Sequence, residues 1–143
     1  MTMKYFIAFF VILFSCSLGW AQGIQGKWKT IDDNTGMPDG IVEIYKRNET
    51  VYGRVLKTFP GPGEDPDPTC KECSGKNKNQ PIIGMEIIKE MELSGDTWQD
   101  GTILDPEDGK LYAGKLWLED GYLKVRGYIA FFFRTQTWIR VED

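Results

Sequence analysis

The chain is predicted to be an all-β protein, an antiparallel up-and-down barrel of roughly eight strands. Three observations predict it. Short runs rich in β-branched and aromatic residues recur along the chain, and turn signals separate them about every ten residues. No segment carries a sustained helical period. The connections are short, with one exception, so sequential hairpins are favoured over the crossed connections of a sandwich.

The elements follow in order. Residues 26–31 form a short first strand, followed by a loop through Asp32-Asp33-Asn34-Thr35-Gly36 and Pro38-Asp39-Gly40. Residues 41–46 and 50–59 form the next two strands around Arg47-Asn48-Glu49. Residues 82–93 carry apolar side chains at 82, 83, 85, 87, 88, 91 and 93, which fits an irregular strand, a strand pair or a short helix. Residues 98–104 are a strand, and Asp105-Pro106-Glu107-Asp108-Gly109 is a strong turn. Residues 110–119 place Tyr112, Gly114, Leu116 and Leu118 on one face. Asp120-Gly121 suits a two-residue hairpin. Residues 122–132 place Leu123, Val125, Gly127 and Ile129 on one face, with Lys124, Arg126 and Tyr128 opposite. Residues 131–133, three phenylalanines, lie near a turn, and residues 135–141 are the last strand.

The first 21 residues are expected to be removed. Lys4 opens them, residues 5–14 are uninterruptedly apolar, and Gly19-Trp20-Ala21 offers small residues where a signal peptidase reads them. The apolar run is shorter than the ~20 residues of a membrane span. Residues 22–143 are then a single domain in the periplasm or outside the cell, with no transmembrane span. A competing lipoprotein box, Leu13-Phe14-Ser15-Cys16, is weakened by the bulk of Phe14 and by the better site after it.

The mature chain holds 16 basic and 21 acidic residues, a net charge of −5. That disfavours nucleic acid and anionic membranes as partners. The chain has no histidine, which excludes serine–histidine and cysteine–histidine catalysis and the common zinc sites. With no nucleophile–base pair, metal cluster or cofactor motif, a non-enzymatic protein is expected.

Residues 60–80 differ from the rest. They hold four of the seven prolines, a fifth, Pro81, follows, and glycine, aspartate, lysine and asparagine are frequent among the rest. A loop of that length in a compact domain is functional or pinned. Cys70 and Cys73 sit in it and are expected to be oxidised outside the cytoplasm. Glu64, Asp65, Asp67 and Glu72 crowd the pair, opposite to what a reactive low-pKa thiol needs. A structural disulfide is therefore expected. The loop's small apolar content and the two-residue ring predict a bridge that fixes a turn and contributes about 1 kcal/mol or less.

The acidic clusters Asp32-Asp33, Asp65 with Asp67, and Asp105 with Glu107 and Asp108 all fall in turns, where aspartate caps backbone amides. A facing carboxylate pair of the glycosidase type cannot be read from them. Asp32-x-Asn34-x-Gly36 resembles part of a calcium loop but lacks its closing glutamate. No metal ligands are assigned.

Gly26-Lys27-Trp28 opens the first strand and Trp138-Ile139-Arg140 ends the last. A Gly-x-Trp covered by a basic residue of the final strand resembles the end closure of lipocalins, where the arginine stacks on the tryptophan. Arg140 or Arg126 is the expected partner of Trp28. A barrel with tyrosine and tryptophan inside can hold a small apolar or amphiphilic ligand. The candidate ligand-contacting residues are Trp28, Tyr112, Trp117, Arg126 and Trp138. The alternative is a filled barrel acting through its surface as a structural or protein-interaction component of the envelope, through loop 60–80 and the basic stripe of Lys124 and Arg126.

Further segments resemble one bacterial family, catalogued as domain of unknown function 2147. They are Gly26-Lys27-Trp28-Lys29-Thr30, Ile41-Val42-Glu43-Ile44, Tyr52-Gly53-Arg54-Val55, Cys70-x-x-Cys73, Pro81-Ile82-Ile83-Gly84, Gly101-x-Ile103-x-Asp105-Pro106, Gly109-Lys110-x-Tyr112, Leu123-x-Val125-Arg126-Gly127-Tyr128 and Thr137-Trp138-Ile139-Arg140. The resemblance implies an exported bacterial protein. It assigns no activity and no catalytic residue.

Cleavage is expected after Ala21, leaving Gln22 as the mature N-terminus. Intact mass of the exported protein checks this. A lipid-bearing chain that starts at Cys16 would establish the lipoprotein reading instead.

Overall fold

The computed structural model describes residues 23–142. The expected export signal, including Cys16, lies outside the described residues. The strands are β1 (Gly26–Ile31), β2 (Pro38–Arg47), β3 (Thr50–Thr58), β4 (Glu86–Ser94), β5 (Thr97–Leu104), β6 (Leu111–Glu119), β7 (Tyr122–Ile129) and β8 (Phe132–Arg140). They form one closed antiparallel barrel in sequence order, so the predicted fold class holds. Among the described residues no helix is long and apolar enough to cross a membrane.

Period-two alternation drives the barrel. On β2, Gly40, Val42 and Ile44 are buried while their neighbours are not, and on β7 Leu123 and Val125 are buried between half-exposed residues. Three boundaries depart from expectation. β2 begins at Pro38 rather than residue 41. A proline is tolerated there because it is the strand's first residue, beside a register shift in β1. The segment 82–93 is a single strand from residue 86, and residues 82–85 turn onto β3 through Gly84 N–H to Val55 O and Val55 N–H to Met85 O. β8 begins at Phe132, because the hairpin turn is only Ala130-Phe131.

The two barrel ends differ. At one end the connections are tight: Asn48-Glu49, Gly95-Asp96 and Asp120-Gly121. Asp120 and Gly121 both take positive φ, as a primed hairpin turn requires. Here Trp28, Ile44, Val51, Met91, Leu116 and Leu123 are all essentially inaccessible and fill the interior. Gly114 leaves the room Met91 needs, since a Cβ there would lie 2.3 Å from Met91 Cε.

The plug is Trp28, which is fully buried. Its Nε1 donates to Ile24 O at 2.8 Å, so the segment before β1 lies across the barrel end. The Arg140 guanidinium stacks 4.2 Å from the Trp28 ring centroid. Arg140 also donates to Gln25 O at 3.1 Å and Gly23 O at 2.8 Å. Of the two arginines the sequence offered, Arg140 is the partner.

The long loop between β3 and β4 is ordered by more than its disulfide. Thr69 and Pro81 form an isolated bridge, Cys70 N–H donates to Gln80 O, and Asn79 N–H returns to Cys70 O. Cys70 and Cys73 are bonded to each other, and both residues are buried in the main core, at 0% and 3% exposure. This corrects the expectation of a loop held only by a local turn. Burial comes from the β5–β6 turn: Cys70 Sγ lies 3.5 Å from Pro106 O, and a Cβ on Gly109, at φ +70°, would collide with Glu72 O at 1.9 Å. Only glycine allows that approach.

Two stability predictions follow from these contacts. Trp28→Ala should cost about 3–5 kcal/mol and Arg140→Ala about 1–2 kcal/mol in urea unfolding, the first as a core truncation and the second through lost carbonyl hydrogen bonds and stacking. A double Cys70→Ser, Cys73→Ser variant should lose about 2–4 kcal/mol, because two hydroxyls are buried in place of sulfur. A double alanine variant should lose less. If the serine variant lost under about 1 kcal/mol, burial of the pair would contribute nothing beyond the small entropy of its short ring.

Candidate functional site

The opposite barrel end is open. Three loops meet there, after β1, β3 and β5, together with the β7–β8 turn. Between them is a cavity of about 940 Å³. Its walls are inward residues of the upper strands, including Val42, Val55, Ile87, Ile103, Val125 and Trp138. Apart from Trp138 these are valines and isoleucines, and they leave the upper half of the interior unfilled.

The seam between β1 and β8 shapes this mouth. Backbone pairing registers at Trp28 with Arg140 and at Lys29 with Ile139. Nearer the mouth, side chains tie β8 to the β1–β2 loop instead. Trp138 Nε1 donates to Gln136 Oε1 at 3.0 Å, and Gln136 Nε2 donates to Asp33 Oδ2 at 3.1 Å. Arg134 pairs with Asp33 at 3.2 Å and with Asp105 at 3.4 Å. It thus ties the β1–β2 loop to the β5–β6 loop across the rim. The pair is exposed, so each contact contributes little to stability, about 0–1 kcal/mol.

The rim is acidic. Asp32, Asp39 and Glu107 place one carboxylate oxygen each within 4.8 Å of one another. Asp39 also accepts a hydrogen bond from the Thr30 hydroxyl. Burial lifts the Asp39 carboxyl above its ordinary range, the Thr30 bond opposes the rise, and Asp32 adds to it. Burial also lifts Glu107, and the neighbouring Asp105, Asp32 and Asp39 carboxylates add to it against Arg134. Tyr112, on the cavity wall, donates to Asp108 Oδ2 at 2.6 Å, a bond that raises its phenol above the usual value. Three carboxylates could approach a cation. They are fewer than the six to eight oxygens that calcium takes.

Other acids do cap turns, as expected. Asp32 Oδ1 accepts from Asn34 N–H at 2.7 Å, Asp105 Oδ1 from Glu107 N–H at 2.9 Å, and Asp108 Oδ1 from Lys110 N–H at 2.8 Å.

The five sequence candidates divide. Tyr112 and Trp138 line the cavity. Trp28 belongs to the plug at the other end. Trp117 and Arg126 stand on the outer wall, next along their strands to the buried Leu116 and Val125, with Arg126 stacked 4.9 Å from Trp117 and 4.6 Å from Phe133. Strand parity forces this: a residue adjacent to an inward one points outward. Sequence reasoning did not single out Asp39, or its meeting with Asp32 and Glu107. Asp39 reads as a turn residue beside Pro38 and Gly40, and only barrel closure brings it to Glu107.

The rim also carries an apolar tip. Phe131 is fully exposed, and Phe132 and Phe133 are 74% and 61% exposed. Ile129, Phe132 and Phe133 border the cavity as well.

No curated protein sequence matches the chain. Among solved structures it is similar to protein HP1028 from the human pathogen Helicobacter pylori, described as belonging to the lipocalin family. The TM-score is 0.70 at 18% identity, covering 83% of each chain. At that identity the likeness shows a shared lipocalin-like barrel fold. A family model for uncharacterized proteins conserved in bacteria, DUF2147, matches residues 26–140, from the first residue of β1 to the last of β8, and the chain belongs to that family.

Proposed function

We propose that this protein is an exported, non-enzymatic barrel that binds one small apolar or amphiphilic molecule in its mouth. The carrying observation is the cavity of about 940 Å³ above a solid plug. Its volume lies within the range of small-molecule sites, about 300–1,000 Å³, and its inner walls are mainly apolar beneath a polar rim. Export rests on the first 21 residues, and the absence of an activity on a composition without histidine. The lipocalin-like fold supports the binding reading by analogy of shape.

A second reading draws on the Phe131–Phe133 tip, which would seat against a protein partner in the envelope. It needs no ligand in the barrel, so ligand titration separates the two.

The neutral probe N-phenyl-1-naphthylamine should gain fluorescence on binding, at a stoichiometry of one. Val125→Trp should weaken it at least ~10-fold by filling the cavity from β7, at a cost of about 1–3 kcal/mol for enlarging a buried position. Unchanged probe binding in a folded Val125→Trp variant, or no binding to the parent, would defeat the cavity reading.

A further inference from the structure

We propose that the barrel mouth docks on a zwitterionic lipid surface, with the tip of the β7–β8 hairpin inserted among the lipids and the cavity open toward them. This deepens the cavity reading and rests on it for what the docking delivers.

The tip breaks a rule that the other hairpins keep. Tight hairpin turns face solvent and select asparagine, aspartate and glycine. The turns at the plugged end are Asn48-Glu49, Gly95-Asp96 and Asp120-Gly121, all polar or glycine. The β7–β8 turn is Ala130-Phe131. Ala130 holds φ +51°, a conformation that glycine or asparagine adopts more easily. Residues 129–133, Ile-Ala-Phe-Phe-Phe, are all apolar and all exposed. A surface run of that length is either a fault or a function. Phe133 is held to the wall by the Tyr128 ring, 5.9 Å away, and the Arg126 guanidinium, 4.6 Å away. Phe131 has no aromatic or cationic neighbour of that kind among the described residues.

The position of the tip says what covers it. On β7 the inward residues Val125, Gly127 and Ile129 all border the cavity, so its apolar wall continues out to the tip. Met37 of the β1–β2 loop, also exposed, borders the mouth as well. A protein seated on the tip would cover this entry. A bilayer leaves it open to an apolar phase, from which a guest poorly soluble in water can pass directly. From Ile129 to Phe131 is about 7 Å along a strand, within the ~5–10 Å to which interfacial elements bury their apolar side chains.

Charge sets the class of lipid. Seven carboxylates border the cavity against two cations, Lys57 and Arg134, and Arg134 is paired with Asp33 and Asp105. An anionic bilayer repels such a rim. A zwitterionic headgroup presents its ammonium outside its phosphate, and so meets the carboxylates with the opposite sign.

The test is flotation of the mature protein with vesicles of phosphatidylcholine and phosphatidylethanolamine at low ionic strength, beside titration with N-phenyl-1-naphthylamine without lipid. The parent should float with the vesicles. Replacing about a third of the lipid by phosphatidylglycerol should weaken the association at least ~3-fold. Phe131→Ser should weaken it at least ~5-fold. Phe131 is fully exposed and does not line the cavity, so this variant should keep the parent's melting temperature and its affinity for the naphthylamine. Phe131→Trp should float like the parent, and brominated lipid should quench its added fluorescence. If the parent stays out of the vesicle fraction while the naphthylamine binds, docking is overturned and the cavity reading survives. If the vesicles bind and the naphthylamine does not, the cavity reading falls and the docking alone stands. If Phe131→Ser floats as well as the parent, or anionic vesicles bind more tightly, the proposal is overturned. A parent dimer that Phe131→Ser dissociates would assign the tip to a second copy of the chain and overturn it too.

Discussion

Closing a sheet of eight strands removes its edges and leaves two ends, and what happens at one end decides what the other can be. Here the closing strands, β1 and β8, meet where Trp28 faces Arg140. That contact does two things together. It completes the hydrogen-bonded circle, and it seals the base, with the indole inside, the guanidinium against its face and the carbonyls of Gly23 and Gln25 satisfied by the same arginine. Large side chains from β2, β3, β4, β6 and β7 then pack on the plug. A barrel of this size is just wide enough for such packing or for one small guest. This one does each in a different half.

The open half is held by contacts across loops rather than by ladders. Gln136 and Arg134 reach Asp33 where backbone pairing of β1 with β8 has ended. The disulfide-bearing loop sits on the β5–β6 turn through Cys70 and Gly109. Both devices position the residues that border the cavity without filling it. A mouth fixed in advance loses less conformational entropy when a guest enters, which favours affinity from few contacts.

Much of this fold is legible in the sequence, because period-two alternation and turn chemistry act over a few residues. Leu123, Val125 and Gly127 share a face whatever the tertiary context, and Asp120-Gly121 specifies its hairpin locally. The Trp28–Arg140 contact was legible for a different reason: the first and last strands of an up-and-down barrel must meet. Trp117 and Arg126 were misplaced by the appeal of large side chains over parity, since Leu116 and Val125 already pointed inward. The burial of Cys70 and Cys73 was not legible. It depends on Pro106 and Gly109, more than thirty residues away, and nothing in the composition of residues 60–80 announces a core contact. The meeting of Asp39 with Glu107 was hidden for the same reason.

That meeting is the place where local rules and global fold disagree. For a carboxyl whose folded pKa is raised, the contribution to stability is fully present below the unfolded value and is lost as the pH rises through the folded one. Asp39 and Glu107 are both raised, first by burial and then by other carboxylates. Once ionised, they therefore work against the fold. Asparagine and glutamine would fit the same turns without the repulsion, and Asp39 has its Thr30 bond and a backbone hydrogen bond as partial compensation. The nearby cation opposes this only in part and only at Glu107, because Arg134 is paired with Asp33 and Asp105. Conflicts of this kind, in otherwise consistent structures, concentrate at functional sites. This one lies at the mouth of the unfilled cavity, where it sets the charge that an entering molecule meets.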